Sequence, residues 1–139
     1  MSDDGLPGPE ARVTRFVQPG DTNFLGTLFG GVALSIMDEA ASLASTRYAG
    51  SVTVTAALEQ IDFHQPIRMG IAEAIARVET VGRTSMRVGV ELWGEDPRTG
   101  DRHLATRGHF VMVAIDDDGR PRPVRRATPP RRVPDAEAT

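Results

Sequence analysis

Only one segment of the 139-residue chain carries a helical period, and the four segments that follow it up to Ile115 read as strand. Between Gly31 and about Ala49, residues Ala33, Ile36, Met37, Ala40, Leu43, Ala44 and Arg47 recur at three and four, which predicts one helix about 28 Å long. Ahead of it, "ARVTRFVQP" (11 to 19) reads as a short strand closed by a Pro-Gly turn. Behind it come four extended segments, "SVTVTAALEQIDFHQP", "IAEAIARVETVG", "RTSMRVGVELW" and "HLATRGHFVMVAI", with no second helical pattern between them. The third alternates Met86, Val88, Val90 and Leu92 with Arg87, Gly89 and Glu91, the pattern of a half-buried strand. In the first, the apolar phase shifts between Leu58 and Ile61, which predicts a bulge. The expected class is therefore α+β: an antiparallel sheet wrapped around one long central helix.

A chain of this length with 40% hydrophobic residues supports one core and not two. The reading is one domain over 11–119, a flexible N-terminus over 1–10, and a tail over 120–139 that is largely disordered. The tail holds six Arg, two acids and five Pro without apolar periodicity. With no aromatic side chain interleaved for base stacking, it reads as a solvated extension and not as a nucleic-acid arm. Cysteine is absent, which excludes disulfides, thiolate metal sites and cysteine nucleophiles. Lysine is absent too, which excludes Schiff-base chemistry on lysine and the P-loop lysine. "MSDDGLPGPE" lacks the basic flank and apolar run of a secretory signal, and no run approaches a membrane span. A cytoplasmic location is expected, with no membrane and no nucleic-acid partner.

The predicted helix carries two acids at its centre, Asp38 and Glu39. On a helical wheel Gly31, Ser35, Ser42 and Ser45 fall near Asp38, while Ile36, Ala40, Leu43 and Arg47 lie opposite. Such a stripe is either the solvated face of an amphipathic helix or one wall of a site. The helix start, "LFGG", offers no Ser, Thr, Asp or Asn cap and no acid in the first turn. Its unpaired amides, at the positive end of the helix, suit a carbonyl oxygen that becomes negative. Alternatively, Gly30 and Gly31 let the helix pack closely. Asp21 is expected to close an Asx-type turn with Gly20. His64, His103 and His109 lack metal-ligand spacing and read as structural or exposed.

"DTNFLGTLFGG", followed by "MDEAA", "VT", "IDFHQPIRMG" and "GRTSM" in that order over about residues 13 to 123, resembles the hotdog-fold acyl-CoA thioesterases of the acyl-CoA hydrolase branch. The resemblance implies hydrolysis of acyl-CoA to a carboxylic acid and coenzyme A, without metal or other cofactor. It implies a catalytic carboxylate at Asp38, acting as general base or as nucleophile, and an asparagine at Asn23. It implies helix-start amides at Gly30 and Gly31 as oxyanion donors, and substrate contacts at Thr55, Arg68, Arg83, Thr84 and Ser85. Glu39 then reads as a solvated or interface residue. Gly31 and Asp38 are about 10 Å apart along one helix, so a carbonyl held by the amides is out of reach of the aspartate below them. The site is therefore expected to be shared by two chains, Asn23 of one facing Asp38 of the other, in dimers that assemble further into hexamers. The alternative is a non-catalytic acyl-CoA-binding hotdog module, a sensor or interaction domain. A hotdog dehydratase would need a histidine near the helix start, and "DTNFLGTLFGG" has none.

Overall fold

The structure, a computed structural model, describes residues 10–125. The elements run β1 (Glu10–Phe16), a 3-10 turn (Pro19–Asp21), α1 (Gly30–Ala49), β2 (Thr53–Phe63), β3 (Ile71–Val81), β4 (Ser85–Glu95) and β5 (Arg102–Ala114). The five strands form one sheet in the order β1-β3-β4-β5-β2, each neighbouring pair antiparallel. The helix lies across one face and touches all five strands.

That packing is close because the helix meets the sheet through alanines. Ala33, Ala40, Ala41 and Ala44 of α1 are buried, as are Ala72, Ala74 and Ala76 of β3. Larger side chains from β4 and β5, among them Met86, Leu92, Phe110 and Met112, fill the rest of the core. The helix ends at Gly50, whose left-handed φ of 64° lets its N–H reach the Thr46 carbonyl.

The buried face of α1 is rotated from the expected one. Leu43 is 38% exposed and Arg47 is exposed, whereas Ser45, expected on the polar stripe, is fully buried. Ser45 tolerates this because its hydroxyl reaches the Ala41 and Ser42 carbonyls and the Thr53 hydroxyl. Close approach to the sheet favours small residues, so alanines and one satisfied serine take the positions that a size-weighted reading gives to leucine.

The irregularity expected in β2 is present and doubled. Pairing with β5 shifts between Thr55 and Ala57 and again between Glu59 and Asp62, and Gln60 adopts a φ of 52°. The second shift lays Ile61 over Gly108 of β5, where an added Cβ would come within 2.1 Å of the Ile61 side chain. A side chain at position 108 would have to displace that of Ile61, so glycine suits the position under this bulge.

The expected domain end at residue 119 falls too early. After the turn around Gly119, Pro121 pairs with Ile115, Arg122 N–H bonds the Ala114 carbonyl and Val124 N–H bonds the Arg83 carbonyl. Val124 also packs against the core. The remainder of the expected tail, 126–139, and the N-terminal 1–9 lie outside the described residues.

Candidate active site

Asp38 is the ninth of the twenty residues of α1, at the border between its buried and exposed faces. The edge strand β2 brings Thr55 beside it, and the Thr55 hydroxyl donates a hydrogen bond to Asp38 Oδ1. The expected polar stripe is thus a short wall facing a strand edge, and the carboxylate is held at one oxygen with the other left open. Thr55, expected among the substrate contacts, is here a partner of the carboxylate. Glu39, one position further round, is exposed.

Asn23 sits in a five-residue loop that folds on itself. Its N–H bonds the Thr27 carbonyl, and its own carbonyl accepts from Gly26, which takes a φ of 75°. Three donors converge on its side-chain oxygen: Leu25 N–H at 2.9 Å, Thr27 N–H at 3.2 Å and the Thr27 hydroxyl at 3.1 Å. That convergence identifies the atom as Oδ1. Its NH2 group has no partner among the described residues, so what Asn23 leaves open is a hydrogen-bond donor. The same fold thrusts Phe24 and Leu25 outward, Leu25 being 79% exposed.

The loop leads into an uncapped helix. Phe29 occupies the N-cap without a side-chain bond, and its N–H is taken by the Asp21 carbonyl. Among the described residues the N–H groups of Gly30, Gly31 and Val32 have no partner, so three amides at the positive end of α1 are open. The close-packing explanation of the glycine pair fails within the chain. An added Cβ would meet Phe63 at 3.8 Å from Gly30 and Phe29 at 3.6 Å from Gly31, ordinary contacts, and neither glycine has a positive φ.

Beside these amides opens a cavity of about 280 Å³ lined by Leu28, Ala33, Phe63, Pro66, Ile67, Leu92 and Ala105, with His64, Gln65 and Thr106 as its polar members. Nothing in the sequence pattern marked this cavity, since its walls come from four separate elements.

Asp21 does not form the expected Asx turn. Its Oδ2 accepts backward, from Gln18 N–H at 2.8 Å and from Arg15 at 2.7 Å, and the Gln18 N–H and then the Arg15 guanidinium hold its pKa below the usual aspartate value. His103 contacts the Pro66 carbonyl and His109 contacts Glu79. Among the described residues no group of three His, Cys, Asp or Glu side chains could hold a metal ion.

The remaining candidates are split. Arg68 pairs with Thr27 beside the Asn23 loop, whereas Arg83, Thr84 and Ser85 form the β3–β4 turn at the other end of β3. One small ligand cannot touch both groups on a single chain. Asn23 and the open amides likewise lie at the start of α1, about 10 Å along its axis from Asp38.

A sheet of this order curled on a single helix, with open amides at the helix start and a carboxylate below them, defines a hotdog protein. The thioesterase superfamily model matches residues 25–100, and the chain belongs to that superfamily. It is 38% identical to an uncharacterized acyl-CoA thioester hydrolase of Zymomonas mobilis over 116 residues, 83% of this chain and 78% of the relative. The crystal structure of an apo-hexameric acyl-CoA thioesterase superimposes with a TM-score of 0.81 at 39% identity, covering 88% of this chain and 80% of that one. The acyl-CoA hydrolase of Staphylococcus aureus, solved in complex with butyryl coenzyme A, coenzyme A and coenzyme A disulfide, gives 0.79 at 34% identity over 89% and 76%.

Proposed function

We propose that this protein hydrolyses acyl-CoA thioesters to a free carboxylic acid and coenzyme A. The observation that carries the reading is the Asp38–Thr55 pair, a helix-borne carboxylate oriented through one oxygen and open at the other. The open oxygen takes a proton from water as the new C–O bond forms, and the proton passes to the departing thiolate as the C–S bond breaks. Attack by the carboxylate itself, followed by hydrolysis of the anhydride, uses the same atom. The amides of Gly30 and Gly31 suit the carbonyl oxygen, and the apolar cavity beside them suits the acyl chain. Asn23 adds its NH2 as a further donor. Neither route calls for a metal or a cofactor.

Support for these positions comes from the S. aureus hydrolase. Separate solved variants of it carry alanine in place of an asparagine, an aspartate and a threonine. These stand fifteen and then seventeen residues apart, as Asn23, Asp38 and Thr55 do.

The same reading makes the site a product of assembly. β2 is an edge strand with Val54, Leu58 and Phe63 exposed, Val52 is exposed just before it, and the Asn23 loop exposes Phe24 and Leu25. Unpaired edge and apolar surface together favour a second copy. A dimer with Asn23 and the helix-start amides of one chain opposite Asp38 of the other, repeated in a trimer of dimers, accounts for both. Among the described residues no helix is long and apolar enough to cross a membrane, and cytoplasmic acyl-CoA is the proposed substrate pool.

The test is a hydrolysis screen over acyl-CoAs of graded length, read by release of free thiol, for the wild type and Asp38→Asn. Turnover that drops by about a hundredfold or more in the variant is expected. An inactive wild type that still binds acyl-CoA would instead make the protein a binding module.

A further inference from the structure

The polar side chains buried among the described residues are hydroxyls, those of Thr27, Ser45, Thr53 and Thr106. Three of them have partners. Thr27 donates to Asn23 Oδ1, and Ser45 and Thr53 share a hydrogen bond at 2.7 Å. Thr106 is 2% exposed, and its hydroxyl makes no hydrogen bond among the described residues. The polar side-chain atoms sealed in without a partner are Trp93 Nε1 and His109 Nδ1. The Thr106 oxygen is not one of them, so it opens on a space, and the cavity beside the helix start is the space that Thr106 lines. Valine would give the same shape without the cost of an unpaired hydroxyl, so threonine at this position calls for a partner from outside the chain.

The sheet sets the hydroxyl among apolar neighbours. Thr106 of β5 is in register with Leu92 of β4 and Phe63 of β2, so the three side chains share one face, and all three line the cavity. Phe63 links this position to the helix start. Its ring would meet a Cβ added at Gly30 at 3.8 Å, and its backbone is one strand spacing, about 5 Å, from that of Thr106. An acyl group whose carbonyl oxygen rests on the helix-start amides therefore has the Thr106 hydroxyl within reach of the first few carbons of its chain.

We propose that the cavity takes an oxygenated acyl chain, one with a hydroxyl or keto group on its third, fourth or fifth carbon, and that the Thr106 hydroxyl is the hydrogen-bond partner of that oxygen. This rests on the acyl-CoA hydrolase reading. A threonine hydroxyl both donates and accepts, so it serves either oxygen, while the Leu28, Phe63, Ile67 and Leu92 walls suit the carbons. A plain chain would press methylenes against the hydroxyl and leave it unpaired, and a site built to hydrogen-bond its substrate discriminates against such an analogue.

The test measures kcat/KM for hexanoyl-CoA and for its derivatives hydroxylated at the third, fourth or fifth carbon, with the wild type and with Thr106→Val, which keeps the side-chain shape and removes the hydroxyl. The wild type is expected to favour at least one hydroxylated chain over hexanoyl-CoA by about tenfold or more, and the variant to lose that preference to within about twofold. Thr106→Ala makes the same comparison should the valine variant fail to fold, and Thr106→Ser should keep the preference. A wild type without the preference, whose hydroxyl then holds no more than a water molecule, overturns the proposal, as does a preference that survives removal of the hydroxyl. A wild type that cleaves none of these thioesters refutes the hydrolase reading alone, and calorimetric titration with the same thioesters then decides: tighter binding of a hydroxylated chain that is lost in the variant supports the site, and equal binding or none overturns it.

Discussion

Asp38 was legible in the sequence because an acid within an apolar helical period has few uses, and a motif resemblance gave it one. Thr55 was legible only as a member of "VT", because its contact with Asp38 spans seventeen residues and depends on β2 lying along the helix. That hydrogen bond fixes which carboxylate oxygen is free, so the proposed mechanism makes Thr55 a positioning residue. Thr55→Val, nearly isosteric, should lower kcat roughly tenfold to a hundredfold with little change in KM. Thr55→Ser should recover most of the loss. A valine variant with full kcat, or a serine variant no better than valine, would remove the hydroxyl from the account. Asn23 offers a second residue-level test. With Oδ1 committed to three local donors, Asn23→Asp keeps the loop and replaces the free NH2 by a carboxylate oxygen. It should therefore unfold at the wild-type temperature and lose at least as much activity as Asn23→Ala. An active aspartate variant would show that the donor is not used.

At the scale of elements, the helix start separates stability from function. Gly31 has room for a Cβ and no unusual φ, so Gly31→Ala should leave thermal stability unchanged or raise it by up to about 1 kcal/mol. It should nonetheless cut turnover, because the methyl group stands where a carbonyl oxygen or a neighbouring chain approaches the amide. Wild-type turnover with unchanged stability would return the glycines to a neutral role. The strand pairing has its own test in acid. Glu73 of β3 accepts from Thr14 of β1 at 2.6 Å and from Arg102 of β5 at 2.8 Å, and the Thr14 hydroxyl and then the arginines hold its pKa below the ordinary 4.5. Its contribution is therefore complete above that value and is lost as pH falls through the lower folded-state pKa. Glu73→Gln should lower stability at neutral pH and flatten the decline below about pH 4.5, as read by urea midpoints across pH. An unchanged acid decline would mean that other carboxylates govern it. The order of elements was readable from the switch between periods of 3.6 and 2, and the β2 bulge from a phase slip. The rotation of the helix face was not, because Ala41 and Ser45 take buried positions only when the sheet comes this close.

The whole molecule carries features that no local pattern records. The return of residues 121–125 onto the β3–β4 turn rests on backbone bonds to Ala114 and Arg83, and a Pro-Arg composition gives no sign of it. The distance between the two groups of proposed site residues follows from helix geometry alone. Asp38 lies with Thr55 in one region and Asn23 with the open amides in another. In the proposed mechanism their union calls for a second chain whose helix runs antiparallel to the first. The most direct measurement mixes Asn23→Ala with Asp38→Ala, each expected to be inactive alone, under conditions where subunits exchange. Half of the dimers then combine the two chains, each with one intact site, so activity should return to up to about a quarter of the wild-type value. Demonstrated exchange with no return of activity would contradict the shared site and mean that each chain completes its own.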